Sequence, residues 1–222
     1  MNRYLYSQAQ QDVFILNILK GKKNGYFVEL GSNDPININN TYLLENQFNW
    51  KGIMIEYDTQ YLDKYKETRP NSIHVINDAT LIDYNELFLK NDVPLNIDYL
   101  QVDLEPGNGS TLKLLELFDS SGIFNKYKFA VITFEHDIYQ TSNPELSDMQ
   151  KQIFIDTKNK SIEIFKKYGY VMVFENINDK CDLSVAFEDW YVHPDLVDMD
   201  YINQLKNKNK YHGTIWCANI NY

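Results

Sequence analysis

The sequence predicts an α/β fold: a mainly parallel sheet, helices on both faces, and an antiparallel hairpin to finish it. Three observations carry this. Short apolar runs alternate with longer amphipathic segments, as βαβ crossovers require. The early runs lie far enough apart for a helix to fill each gap. The last two runs are joined by a short polar link, which suits an antiparallel pair because a parallel pair needs a dozen or more residues.

In chain order, an N-terminal helix is expected over about residues 7–20, with Ser7 as N-cap and Gly21 as stop. YFVEL (26–30) is the first buried strand, and NTYLLENQ (40–47) the first crossover helix. GIMIEY (52–57), DTQYLDKYKET (58–68), SIHVIN (72–77) and DYNELFLK (83–90) repeat the alternation. IDYLQVD (97–103) is strand four, STLKLLELF (110–118) has a Ser/Thr start typical of a helix, and KFAVITF (128–134) is strand five. LSDMQKQIFIDTKNKSIEIFKKYG (146–169) is the longest helix and closes on glycine. YVMVFENI (170–177), the turn-rich NDKCD and LSVAFEDWYV (183–192) form the hairpin. The tail, about 205–222, is too apolar to be free and is expected to pack back, making 1–222 a single domain.

With 222 residues, 44% of them hydrophobic, and with 17 Tyr and 12 Phe, the chain can bury a sizeable core and is neither disordered nor membrane-spanning in composition. A net charge of -10 repels a phosphate backbone, so nucleic acid is not expected as the main partner. The start MNRYLYSQAQQDVF lacks a secretory signal pattern, and Cys181 and Cys217 lack metal or redox spacing. A cytoplasmic protein with reduced thiols, off the membrane, is the expectation. Oligomeric state is open, a homodimer being one option.

Ligands of open parallel sheets bind beyond the carboxyl ends of the strands. Those ends are Glu29 with Gly31, Glu56 with Tyr57 and Asp58, Asp78 with Ala79, Asp103 with Glu105, and Glu135 with His136 and Asp137. Asp34 and Asp58 read as caps. The recurrence of acid suits a ligand rich in hydroxyls and amines, or a cation, and suits a phosphate badly. The GxGxxG of a dinucleotide site is missing, since Gly31 is followed by Ser32, Asn33 and Asp34. A nucleoside with a positive centre fits better than a pyrophosphate.

On SQAQQDVFILNIL, GYFVELGSNDPININNTYLLE, WKGIMIEYD, DYLQVDLEP, ITFEHDIY and FEDWYVHP, the chain resembles the FkbM-type methyltransferases. The resemblance implies the Rossmann-like class I methyltransferase fold with a seven-stranded sheet, and S-adenosylmethionine as cofactor. It places Glu29, Gly31, Ser32 and Asn33 in the first cofactor motif, where the acid orients the loop or the ammonium group. Glu56, followed by Tyr57, would hold the ribose, Asp78 and Ala79 the adenine, and Asp103 and Glu105 would lie beside the transferring methyl group. The departure from pattern is Ser32 and Asn33 where many such enzymes carry further glycines. In the bland reading Glu29 caps a helix or pairs with a lysine, Gly31 serves a tight turn, and Asp103 belongs to a structural network.

A sugar hydroxyl needs a general base or a metal to become nucleophilic. His136 is the candidate base, its alternative being a capping or packing role. Asp103 and Glu135, with Asp137 or Glu105 assisting, are candidate Mg²⁺ ligands. Asp137, Tyr139, Trp190 and Tyr191 are candidate acceptor contacts, because aromatic faces beside carboxylates suit a sugar, against a core role for Trp190. The leading reading is an O-methyltransferase for a sugar, glycan, nucleotide sugar or other small-molecule acceptor. A catalytically silent cofactor- or glycan-binding module and a nicotinamide-linked oxidoreductase are the alternatives.

Overall fold

The computed structural model describes residues 6–178 and 183–208. Among them, β1 (Tyr26–Leu30), β2 (Lys51–Glu56), β3 (Ile73–Ile76), β4 (Asn96–Val102), β5 (Lys128–Glu135), β6 (Val171–Ile177) and β7 (Glu188–Val192) form one sheet. The strand order is β3-β2-β1-β4-β5-β7-β6. The first five strands pair in parallel, and β7 lies between β5 and β6, antiparallel to both. The expected seven-stranded sheet with its terminal hairpin is therefore present.

Alternation along each strand divides the core in two. Val28, Leu30, Ile53, Ile55, Leu100, Ile132 and Phe134 face α4 (Tyr84–Lys90), α5 (Ser110–Ser120), α6 (Ile123–Lys126) and α7 (Asp148–Lys167) in one cluster. Phe27, Met54, Tyr99, Val131, Trp190 and Val192 face α1 (Gln11–Ile18), α2 (Tyr42–Phe48), α3 (Leu62–Thr68) and α8 (Met199–Lys208) in the other. The inner strands are covered on both sides, so their runs are nearly continuous in apolar residues, whereas the edge strands β3 and β6 are only partly buried.

Two local expectations are corrected. Ser7 is not the N-cap of the first helix: its hydroxyl donates to Asp12 Oδ1 at 2.6 Å, and the helix starts only at Gln11 behind Gln10, which adopts φ 66. The buried Asp12 carboxylate accepts from Ser7 and Val13, while the Ser7 oxygen in turn accepts the Asp12 N–H at 3.4 Å, so Ser7 braces the first turn from outside the cap position. The last strand is shorter than LSVAFEDWYV, because residues 183–185 form a 3₁₀ turn and Phe187 carries a bridging carbonyl instead of a ladder partner. Gly21, with φ 68, does end the first helix, its N–H reaching Leu16 O. Residues 179–182 of the hairpin link, Cys181, Cys217 and the tail from 209 onward lie outside the described residues. No helix among the described residues is long and apolar enough to cross a membrane.

The strand order reverses between β1 and β4. That is the switch point at which an open sheet leaves a crevice above its carboxyl edge.

Candidate functional site

A cavity of about 840 Å³ opens at this crevice, a volume within the usual range for small-ligand sites. It is lined by strand-end residues from β1 to β5, including Gly31, Glu56, Asp78, Asp103 and Glu135.

Gly31 is the hinge of the site. Its N–H bonds Ile55 O at 3.0 Å, its φ is +85, and a side chain there would place Cβ 1.7 Å from Asp103 O. Only glycine tolerates both the left-handed backbone and this contact between the ends of β1 and β4. The loop that follows is tied down at many points. Asn33 N–H donates to Glu56 Oε2 at 2.7 Å, and Asn39 Nδ2 donates to Ser32 O. Asp34 accepts from the N–H groups of Ile36 and Asn37, the capping role expected of it. Ile38, β-branched yet held at φ 54, is 69% exposed and edges the cavity. Strain of this kind persists only where the surroundings over-determine it, and it clusters at ligand sites.

Glu56 sits at the end of β2 with both oxygens held by main chain, Oε2 by Asn33 and Oε1 by Asp58 at 2.9 Å. Each carboxylate oxygen has a second lone pair, so two vicinal hydroxyls can still donate to it. Tyr57, 77% exposed, stands beside it as an open aromatic face. Asp78 caps the 3₁₀ turn at Ala79–Leu81 through Oδ1, and bonds from the Thr80 backbone and hydroxyl hold its carboxyl below the usual range. Asp58 likewise caps the turn at Thr59–Tyr61.

Glu29 is corrected in part. It is fully buried and does not line the cavity; its Oε1 accepts from Thr41 Oγ1 at 3.0 Å. Of the two roles expected for it, orienting the loop matches this geometry and holding an ammonium group does not. Burial pushes its carboxyl up to about 7 against the opposing pull of Arg69. The register explains the burial: Glu29 lies on the same face as Phe27, toward α2 and α3.

Asp103 and Glu135, at the ends of β4 and β5, are hydrogen-bonded to each other. Two carboxyl groups can share a bond only through a proton. Burial, then the charge of Asp103, raises Glu135 well above the carboxylate range, and burial raises Asp103 as well, so the pair as a whole holds protons more firmly than free carboxyls do. Asp137 is pushed up to about 7 by burial and by the charges of Asp103 and Glu105. The expected Mg²⁺ site at Asp103, Glu135 and Asp137 is not assembled: among the described residues, no three His, Cys, Asp or Glu side chains are grouped to hold a metal ion. Glu105 is exposed at the rim, its Oε1 accepting from Gly107 N at 3.1 Å as a turn cap.

His136 is not placed as a base. It is fully buried, its Nδ1 accepts the N–H of Ile138 at 3.1 Å, and Nε2 lies 3.2 Å from Asp189 Oδ1. Nδ1 is therefore unprotonated and already engaged, and burial lowers the pKa so that the ring is neutral. Trp190 and Tyr191 are also corrected. Both are buried, in opposite core clusters, and Trp190 Nε1 donates to Glu188 Oε1 at 2.8 Å. Alternation on a strand covered on both faces puts both neighbours in the interior. Tyr139, by contrast, is partly exposed near Asp137 and packs its ring against the second core cluster.

Two residues missed in the sequence matter. Gln101, on β4 and only 4% exposed, lines the cavity; its Nε2 faces Gly31 O and Asp103 Oδ2, each at 3.4 Å. Two acceptors on one side fix the amide orientation, and Oε1 has no hydrogen-bond partner. A glutamine inside the apolar run IDYLQVD was the available signal. Arg69 is fully buried and ties the loop from beneath: Nε donates to Glu45 Oε2 at 2.8 Å, Nη1 to Pro35 O and Asn39 Oδ1, and Nη2 to Thr41 Oγ1.

No protein-family model matches the chain, and no curated protein matches it. Solved structures do. The methyltransferase domain of bacterial CtHen1 superposes with a TM-score of 0.50 at 10% identity, over 84% of this chain and 97% of that one. A TehB-like S-adenosylmethionine-dependent methyltransferase from Corynebacterium glutamicum gives 0.47 at 9% identity over 86% and 90%. Phosphoethanolamine N-methyltransferase 2 of Haemonchus contortus, in complex with S-adenosylmethionine, gives 0.47 at 16% over 87% and 54%. At these identities the likeness concerns the fold, which is the Rossmann-like fold of the class I methyltransferases.

Proposed function

We propose that the chain is an S-adenosylmethionine-dependent O-methyltransferase of the FkbM type, acting on a hydroxyl of a sugar, glycan or nucleotide sugar. The observation that carries this reading is the single cavity edge on which Gly31, Glu56, Tyr57 and Asp78 succeed one another from β1 to β3. In this reading Glu56 takes the ribose hydroxyls, Tyr57 and Ala79 flank the adenine, and the second oxygen of Asp78 accepts from its amine. The close approach of backbone at Gly31 leaves room for the methionine part. When bound, the cofactor supplies an electrophilic methyl group whose sulfur leaves as a neutral thioether.

The rest falls to the chain. An acceptor hydroxyl lying in line with that methyl group would have to lose its proton, and Asp103, at the end of β4 on the cavity wall, is the carboxyl placed to take it. Glu135, hydrogen-bonded to Asp103 from the neighbouring strand end, keeps it oriented. Asp137 and Tyr139 border the acceptor.

Two measurements test this. Calorimetry should show binding of S-adenosylhomocysteine, weakened at least about 100-fold by Glu56→Ala, since two bonds to a charged group are each worth about 1.5–3 kcal/mol. No binding at near-millimolar ligand sinks the reading, and unchanged affinity in the variant removes Glu56 from the ribose. For the chemistry, Asp103→Asn should lower kcat about 100- to 10,000-fold, the range for loss of a general base. His136→Gln should change kcat less than about tenfold; the reverse ranking would restore His136 as the base.

A further inference from the structure

We infer that Gln8, presented by the N-terminal segment across the ends of β1, β4 and β5, binds the methionine carboxylate of the cofactor through its side-chain Nε2. This rests on the methyl-transfer reading and deepens it, by supplying a partner for a group that the strand ends leave without one.

Residues 6–11 make a short crossing that is fixed at both ends. Tyr6 O accepts the N–H of Asn39 at 2.9 Å and the Tyr6 ring meets Tyr42 edge-on at 4.6 Å, which ties the segment to the loop after β1. Ala9 N–H donates to Gln11 Oε1 at 2.8 Å, and Gln11 Nε2 donates to Glu188 Oε1 at 2.6 Å, which ties it to the start of β7, opposite Glu135 on β5. Between these anchors Ser7 and Ala9 are buried, whereas Gln8 is exposed and lines the cavity. Given the strand order, the crossing passes the ends of β1, β4 and β5 and lies away from β2 and β3, where Glu56 and Asp78 face the nucleoside half.

A carboxylate needs donors, and this part of the cavity has few to spare. The charged side chains that line it are all acidic, so no lysine or arginine meets the ligand. The loop after β1 has spent its main chain: the N–H groups of Gly31 and Ser32 go to Ile55 O, that of Asn33 to Glu56 Oε2 and that of Asp34 to Asn33 Oδ1. The Ser32 and Ser110 hydroxyls donate to the carbonyls of Glu29 and Glu105. The other lining amides are committed as well. Asn37 Nδ2 donates to Asp34 and Gln101 Nε2 faces Gly31 O and Asp103 Oδ2, while Asn77 and Asn108, like Asn33, each hold a nearby main-chain N–H through Oδ1. Gln8 alone among these lining amides has donor and acceptor both uncommitted, on a backbone that is itself held in place. A bond from its Nε2 to an ionised carboxylate is of the stronger, charge-assisted kind.

The test measures S-adenosylhomocysteine binding by calorimetry, together with thermal denaturation, on the full chain and on Gln8→Ala and Gln8→Glu. Gln8→Ala should weaken the ligand about ten- to hundredfold, the loss of one hydrogen bond to a charged group, and should melt within about 2 °C of the parent, as an exposed side chain without a partner in the fold allows. Gln8→Glu keeps the shape but sets a like charge against the carboxylate, so it should bind at least about threefold more weakly than Gln8→Ala. A bond from the ligand's ammonium group to Oε1 predicts the opposite order. Gln8→Glu as tight as Gln8→Ala or tighter, an affinity in Gln8→Ala within about twofold of the parent, or a larger loss of Tm in Gln8→Ala each overturns the inference, while binding by the parent keeps the cofactor reading intact. Failure of the parent itself to bind S-adenosylhomocysteine removes both.

Discussion

Gly31→Ala should abolish measurable binding of S-adenosylhomocysteine and lower the Tm by roughly 6–12 °C. Two costs combine. An alanine at φ +85 sits in the left-handed region, worth roughly 1–2 kcal/mol against a non-glycine residue. The new methyl group would also lie 1.7 Å from Asp103 O and 3.3 Å from Leu104 Cδ2, so β1 and β4 must part where Gly31 N–H and Asp103 N–H hold them to Ile55 O and Leu30 O. About 3 kcal/mol in total corresponds to the stated shift for a domain of this size, at about 2–4 °C per kcal/mol. The displacement falls at the switch point, so binding should suffer more than stability. Thermal denaturation and calorimetry on the same preparation separate the two: a variant that melts within about 2 °C of the parent and binds S-adenosylhomocysteine with unchanged affinity would show that the backbone approach at Gly31 has no part in the site.

The strand ends were legible in the sequence because an apolar run broken by an acid is a local signal. The residues YFVEL, IDYLQVD and KFAVITF end where β1, β4 and β5 deliver Gly31, Asp103 and Glu135 to one cavity. What could not be read was which way a side chain turns. Glu29 and Gln101 occupy paired positions on adjacent strands, yet Glu29 lies beneath the loop and Gln101 lines the cavity. His136 and Trp190 look equally available in one dimension, and each is withdrawn by a partner distant in sequence, Asp189 for one and the α1 face for the other. Long-range pairing decides such cases, and no local pattern encodes it. The Asp103–Glu135 pair is a similar instance, since two acids 32 residues apart become one titrating unit only after β4 and β5 align in parallel.

Arg69→Met should destabilise the chain by about 3–5 kcal/mol, the usual cost of leaving a buried partner uncompensated, and so lower the Tm by roughly 6–20 °C. Arg69 lies in ETRPNS, a stretch with the look of a turn, and is one of two arginines in a chain that otherwise uses lysine. Four of its five donors are spent on one geometry: Glu45, Pro35, Asn39 and Thr41 are all reached at 2.6–3.2 Å, and Arg69 has no exposure to solvent. Lysine offers a point charge instead of a planar fork, so Arg69→Lys should recover little. Removing the guanidinium also removes the charge that opposes protonation of Glu29, which then should bind its proton more firmly. Thr41 and Asn39 thus lose their common anchor, and with them the loop that carries Asn33 to Glu56. S-adenosylhomocysteine should therefore bind at least about tenfold more weakly even at temperatures where the variant is folded. A double variant, Arg69→Met with Glu45→Gln, should fall short of the sum of the single effects, because Glu45 Oε2 also accepts from Ser72 Oγ at 2.6 Å and the two changes remove one shared network. Strict additivity in stability, or full ligand affinity in a folded Arg69→Met chain, would separate this network from the site it underlies.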